Sequence, residues 1–253
     1  HPVYTYLHMC LDEISVCSAV SITAKKHLKI CDRNSADVNE CMVGAIQKGI
    51  EAMAGGIKEL NLPPLDPYNQ KEIRVQYTQN QVQAKMTLRD INVYGLTAAK
   101  VHKVRLRADD DRFHLEVDLT SPKVYVEGLY HGEGSFNSLV INTTGKFNTT
   151  MKDLVFTWKL DGKPEKKGDD TFVRIDSFYM RPDVSYLTSY ITSDNAEARE
   201  IIDLANQFAN SNWKILYQEM LPIAQSNWNK IGIRVANKLF LKVPYDQLFP
   251  AKS

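Results

Sequence analysis

After Cys41 the sequence contains no cysteine, although the chain runs to 253 residues. Most of the fold must therefore hold without disulfides or thiolate metal sites. The sequence also lacks a run of about 18–20 apolar residues, the length a membrane-spanning helix needs. It has no excess of one charge: 31 Lys and Arg against 30 Asp and Glu leave +1. That balance gives no general attraction to nucleic acid or to an anionic membrane. Catalytic signatures are missing too, with no G-x-S-x-G elbow, H-E-x-x-H pair, P-loop or G-x-G-x-x-G turn. The histidines are scattered, and His114 alternates with apolar residues on the wet side of a strand. His131-Gly132-Glu133-Gly134 reads as a loop between strands. Asp109-Asp110-Asp111 reads as a hairpin turn, because it lacks the spaced oxygen ligands and distant glutamate of a calcium loop. The sequence assigns no catalytic residue, no metal and no cofactor.

What is present is ordinary globular material. With 43% apolar and 24% charged residues, a wholly disordered chain is excluded. No repeat, low-complexity tract or flexible linker divides it, so residues 25–253 read as a single domain. Residues 1–24 stand apart. The charge-free stretch from Ile14 to Ala24 resembles the tail of a secretory signal, while Asp12 and Glu13 sit where a signal is basic or apolar. This segment is read either as a signal remnant or as an extension of the mature protein.

The cysteines are Cys10, Cys17, Cys31 and Cys41. Pairing by shortest loops joins Cys31 to Cys41 and Cys10 to Cys17. A zinc site is the competing reading, disfavoured because neither spacing is C-x-x-C and no histidine pair lies nearby. Two N-glycosylation sequons begin at Asn142 and Asn148, in a polar segment that reads as a loop. Together with the clustered cysteines they point to a secreted protein.

Periodicity then sets the fold class. Asn34 or Ser35 caps a helix whose apolar residues recur at Val38, Cys41, Met42, Ala45, Ile46, Ile50, Met53 and Ile57, before the stop signal Gly55-Gly56. Its expected length is about 20 residues, or roughly 30 Å. Pro63, Pro64 and Pro67 hold the next segment extended. From Glu72 to Ile175 the period is two. Ile73, Val75 and Tyr77 begin it; Val82 to Leu88 follow, with Asp90 a break before Ile91 and Val93. Val104, Leu106 and Ala108 pair across the acidic turn with Phe113, Leu115, Val117 and Leu119. Val124 and Val126, Leu139 and Ile141, then Leu154, Phe156, Trp158 and Leu160 continue to a turn at Asp161-Gly162-Lys163-Pro164. This is an antiparallel sheet with one wet face. Helix returns at an Asp194-x-x-Glu197 capping box, its apolar stripe running from Ile201 through Phe208, Ile215 and Met220 and, past a kink or restart expected at Pro222, on through Ile223, Trp228, Ile231, Val235 and Leu239. Residues 243–250 read as extended. The class is α+β, with long helices at both ends of an antiparallel sheet.

A curved sheet about a long helix encloses space, which side chains or a ligand must fill. Met42, Met53, Met86, Phe113, Phe156, Trp158, Phe208 and Trp228 are candidates to line it, and each also reads as ordinary core.

Cys31-Asp32-Arg33-Asn34, Asn39-Glu40-Cys41, the helix through Gly55-Gly56, Leu62-Pro63-Pro64-Leu65-Asp66-Pro67 and the closing Pro244-Tyr245-Asp246-Gln247-Leu248-Phe249-Pro250 come in a telling order. In these motifs and their spacing the sequence resembles the takeout and haemolymph juvenile hormone-binding family of insects. The resemblance brackets nearly the whole chain, residues 31–250. It implies a TULIP-like super-roll: a long N-terminal helix wrapped by a highly curved antiparallel sheet, with long C-terminal helices and an enclosed apolar tunnel. It implies a secreted, non-catalytic carrier of one lipophilic molecule, a juvenile hormone-like terpenoid or a fatty-acid-like chain. Cys31 and Cys41 match the family's N-terminal disulfide positions; Cys10 and Cys17 have no counterpart in the pattern. Tyr77, Tyr125, Tyr130 and Trp158 join an apolar body to a hydrogen-bonding tip, which suits them to orient a ligand. The partner expected is therefore a small lipophilic ligand, carried by a monomer without nucleic acid or stable membrane insertion. The alternative is a membrane-visiting lipid-transfer protein, for which the basic run Lys100, His102, Lys103, Arg105 and Arg107 offers a rim. An esterase would need a nucleophile–base pair that the sequence does not display.

Overall fold

The computed structural model describes residues 26–79, 81–136 and 139–252. The readings of residues 1–24 and of a Cys10–Cys17 pair fall outside these described residues. The chain order is α1 (Val38–Ala52), β1 (Tyr68–Gln79), β2 (Val82–Tyr94), β3 (Lys100–Ala108), β4 (Phe113–Phe136), β5 (Leu139–Lys167), β6 (Asp170–Tyr179), β7 (Tyr186–Ile191), α2 (Arg199–Ser211), α3 (Trp213–Phe240) and α4 (Tyr245–Leu248).

Two strands set the architecture. β4 has 24 residues and β5 has 29, far beyond the usual 3–10. β4 pairs antiparallel with β5 along its whole length, from Phe113 against Gly162 to Phe136 against Leu139. In the half of the hairpin that begins at Phe113, here the lower half, β3 lies beside β4 and β6 beside β5. In the upper half β2, followed by β1, lies beside β4, and β7 lies beside β5. All pairings are antiparallel, as the alternation predicts.

The strands are longer than the sequence reading because two turn signals are not turns. His131-Gly132-Glu133-Gly134 lies inside β4, not in a loop. Asp161-Gly162-Lys163-Pro164 lies inside β5, where the register with β6 shifts between Asp161 and Gly162. A Cβ on Gly162 would fall 2.4 Å from the Arg174 carbonyl oxygen, so this glycine answers a close approach of backbones. The reversal comes later, at Gly168 with φ +64°. Asp90 does not end β2 either. It is a bulge with φ +50°, and it keeps both Leu88 and Ile91 on the inner side despite the odd spacing. The sequons likewise sit within β5 rather than in a loop, with Asn142 exposed and Asn148 half-buried.

The inner face changes parity along β4. Phe113, Leu115, Val117, Leu119 and Ser121 are buried in the lower half, and Val124 and Tyr130 in the upper. Successive side chains alternate between faces, so the buried face switches from odd to even residues between Ser121 and Val124. Asp153, with φ +50°, marks the same level on β5. The hairpin thus turns opposite faces inward in its two halves, called here the lower and the upper chamber.

The lower chamber is solid. Met42, Ala45 and Ile50 of α1 pack with Val101, Val104, Phe113, Leu115 and Val117. The segment 243–250, expected extended, forms the single helical turn α4 and plugs the end. Phe113 meets Phe240 and Phe249 at ring distances of 5.3 Å each. The Cys31–Cys41 disulfide is formed, with Cα atoms 5.9 Å apart. It holds a loop that grips the C-terminus: the Arg33 amide donates to Pro250 and the Arg33 guanidinium lies 4.6 Å from the Tyr245 ring centre. That loop also replaces the expected cap. The Asn34 and Ser35 amides bond to Asp32, and α1 begins one turn later, without a side-chain cap. α1 has 15 residues, shorter than expected, because the chain leaves the helix before Gly55-Gly56. The longest helix is the C-terminal α3, with 28 residues. It runs through Pro222 unbroken; the break falls at Asn212, between α2 and α3. The cap of the segment before α2 is Asn195, accepting from the Glu197 amide, rather than Asp194.

Helices close the sheet edges through amide side chains. Asn237 of α3 donates to and accepts from the Ile175 backbone, at 3.0 and 2.8 Å. Asn206 and Asn210 of α2 do the same for Ile191 and Ser189 of β7, and Gln47 of α1 for Ala99 and Val101 at β3. Each carboxamide supplies the donor and acceptor a neighbouring strand would, which removes an exposed edge. Asn237→Leu leaves the buried Ile175 backbone groups unpaired. It is expected to cost about 2 kcal/mol in urea unfolding, with Asn237→Gln recovering part of the loss.

Candidate functional site

The upper chamber differs from the lower one. The inner residues Ile73, Val75 and Tyr77 of β1, and Ala84, Met86 and Leu88 of β2, are apolar, yet none belongs to the core cluster among the described residues. Met86 stays 36% exposed. α2 is strongly amphipathic, but it buries only part of its apolar surface, chiefly Ile202. Ile201, Leu204 and Phe208, with Ile215 of α3, are exposed. Folding has thus left apolar surface uncovered on two elements of the same half, whereas the lower half is filled by side chains.

α3 spans the mouth of the curl. Asn237 fixes it to β6, and Arg234 reaches Gln70 of β1 at 2.8 Å. The two ends of the strand order therefore meet on one helix turn. Further along, α3 and β1 part, leaving an open cavity of about 360 Å³ bordered by Arg74, Val75, Gln76, Pro222, Ile223, Ser226, Asn227 and Lys230. That is near the lower end of the range of about 300–1,000 Å³ typical of small-molecule sites.

The candidate residues divide between the chambers. Met42 and Phe113 are buried in the lower core, with Met53, Phe156 and Trp158 packed against it. Tyr77, Met86 and Tyr130 lie on the concave upper face. Tyr130 is buried, and its hydroxyl donates to the Thr192 carbonyl at 2.6 Å, which pins the chain after β7. Tyr125 lies on the face opposite Val124 and Val126; it packs on Tyr94, and both hydroxyls donate to Glu127. Burial and that carboxylate raise the Tyr94 and Tyr125 pKa values. Phe208 is exposed on α2. Sequence reasoning missed the cavity border of Pro222, Ile223, Ser226, Asn227 and Lys230. Ile223 was visible in the helical stripe, but nothing in one sequence places α3 against β1.

Within the basic run on β3, Arg105 is tied into an ion-pair network. Arg105 makes two bonds to Asp118, at 2.8 and 3.0 Å, and one to Glu116, at 2.7 Å. His114 sits between Asp161 and Glu116. The Arg105 hydrogen bonds, acting against partial burial and helped by Thr157, hold the Asp118 carboxyl down to about 2 from 3.8. The Glu116 carboxyl is lowered by the same guanidinium. A depressed carboxyl contributes stability that is present above its unfolded pKa and lost as pH falls through its folded one. The urea midpoint is therefore expected to drop between pH 3.8 and about 2, less steeply in Asp118→Asn. Equal slopes in both proteins would contradict this assignment.

Among the described residues no group of three or more His, Cys, Asp or Glu could hold a metal ion, and no helix is long and apolar enough to cross a membrane. A tightly curled antiparallel sheet, closed along its seam by a long C-terminal helix, is a roll-shaped α+β fold. The chain matches the family model described as haemolymph juvenile hormone binding protein (JHBP) over residues 13–250, and it belongs to that family. The fold is also that of the crystal structure of Epiphyas postvittana Takeout 1, with a TM-score of 0.69 at 19% identity over 88% of this chain and 99% of that one. A lipopolysaccharide binding protein matches at a TM-score of 0.36 and 14% identity, over 80% of this chain and 38% of its own, too distant to carry an argument. No curated protein matches the chain.

Proposed function

We propose that this protein is a secreted carrier of one small lipophilic molecule, a juvenile hormone-like terpenoid or a fatty-acid-like chain, which it holds in the upper chamber without catalysis. The observation that carries this reading is the unfilled apolar face of β1 and β2 beside a solid lower core. Each methylene moved from water onto such a surface contributes roughly 0.8 kcal/mol, enough for useful affinity from contact alone. Family membership and the disulfide support an extracellular setting, in which Asn142 and Asn148 carry glycans. Titration with the apolar fluorophore N-phenyl-1-naphthylamine tests the reading. Saturation at one per chain, reversed by a terpenoid ester or a long-chain acid, is expected; a chain that takes up neither probe nor competitor is not a carrier.

A membrane-visiting lipid-transfer protein is the second reading, favoured by exposed Ile201, Leu204, Phe208 and Ile215. It expects co-sedimentation with phosphatidylcholine–phosphatidylserine vesicles that Phe208→Glu abolishes. Failure to sediment with these vesicles removes it.

A further inference from the structure

The sheet edges are not closed alike. Carboxamides of the helices bond the backbones of β3, β6 and β7. At β1, among the described residues, no helix side chain bonds the strand backbone. The tie there is Arg234, which donates to the Gln70 side chain at 2.8 Å and to the Tyr68 hydroxyl at 3.4 Å, near one end of the strand. Beyond that tie the seam widens into the cavity between β1 and α3. As β1 is an edge strand, inward Val75 and outward Arg74 and Gln76 all border this opening. The seam is thus the most weakly fastened edge among the described residues, and its opening reaches the inward side chain of Val75.

The rim has a sign. Its border includes Arg74 and Lys230 and no carboxylate. Arg74 is paired with Glu72 at 2.7 Å, but Glu72 also meets Arg89 at 3.4 Å, so one carboxylate serves two guanidinium groups. Both of these bonds, ahead of the Coulomb attraction of Arg89 and despite some desolvation, hold the Glu72 carboxyl below its ordinary value. Lys230 is exposed and has no hydrogen bond or ion pair among the described residues. Cations outnumber acids at this opening, and a rim cation faces solvent without a partner among the described residues.

We propose that the β1–α3 seam is the mouth of the ligand space, and that Lys230, with Arg74 beside it, receives the carboxylate of an anionic amphiphile whose chain runs inward past Val75 and Ile223. The inference rests on the carrier reading and narrows it to ligands with an acidic head rather than a neutral ester. A hydrogen bond to a charged group strengthens binding enough to set the preference at about tenfold or more.

The test compares hexadecanoic acid with methyl hexadecanoate on the glycosylated full chain, by displacement of the same fluorophore, for wild type, Lys230→Gln and Lys230→Arg. The acid is expected to bind about tenfold more tightly than the ester. Lys230→Gln should remove the difference by weakening the acid alone, and Lys230→Arg should restore it. Equal binding of acid and ester, unchanged by Lys230→Gln, overturns the head-group site while leaving the carrier intact. Binding of neither compound by any form sinks the carrier reading and this inference with it. Thermal unfolding of each variant checks that the exposed substitution leaves the fold alone.

Discussion

Phe113→Ala is expected to cost about 3–5 kcal/mol of stability, a large share of the roughly 5–15 kcal/mol that holds a folded domain. The ring has no exposed surface, and Phe240, Tyr245 and Phe249 surround it at ring distances of 5.3, 6.5 and 5.3 Å. Truncation leaves a cavity that rigid strand backbones and the disulfide loop cannot collapse, so the loss combines transfer and void terms. α4 and the C-terminal segment lose their anchor first. Urea unfolding reads the effect as a lowered midpoint with an unchanged slope. The fraction still folded is expected to bind the fluorophore as wild type does, because the ring is enclosed by other aromatic rings. Folded protein with lost binding would instead assign Phe113 to the ligand space.

Gly145→Ala acts on the upper chamber with an effect of similar size. A Cβ there would fall 2.1 Å from the Thr192 carbonyl oxygen, and the obstacle is backbone rather than a flexible side chain. The segment after β7 would have to lift away. It would lose the Tyr130 hydroxyl on that carbonyl, the Thr192 amide on Lys146 and the Lys146 amide on the Thr192 hydroxyl. Overpacking of about 1–3 kcal/mol and the unpaired buried groups together predict a loss of about 3–5 kcal/mol. Since that segment leads into α2, ligand binding should weaken along with stability. Tyr130→Phe removes one of these bonds only and should cost about 1 kcal/mol with binding retained. A Gly145→Ala protein as stable as wild type would mean that the crossing of Thr192 over β5 is wrong.

The class of fold was legible in the sequence because burial obeys period. Ile73, Val75 and Tyr77, or Phe113 through Leu119, alternate as a half-buried sheet requires, and Met42, Ala45 and Ile50 keep helical spacing. Strand lengths were not legible. Gly132, Gly134 and Gly162 read as turns, yet they sit in strands that continue; at Gly162 a close approach of backbone requires glycine, which looks in sequence like a glycine required by a reversal. Asp90 was misread for a related reason, since a bulge breaks alternation just as a loop does. Pro222 was expected to kink a helix that absorbs it, while the break at Asn212 carries no proline or glycine to announce it. The site was legible only as composition. Tyr77, Met86 and Tyr130 fell on the concave face, but the same criteria also selected Met42 and Phe113, because a residue that fills a core and one that lines a cavity are chemically alike. What separates them is which half of the long hairpin they occupy. The seam residues Lys230 and Ile223 depend on a meeting of α3 with β1 across about 150 residues of chain, which local pattern does not encode.

Native mass spectrometry of the protein, followed by solvent extraction and identification of what it retains, tests the carrier reading most directly. The account predicts a single long-chain apolar species, one per chain, released on extraction. Several phospholipids per protein, or an empty protein that takes up neither juvenile hormone nor fatty acid, would contradict it.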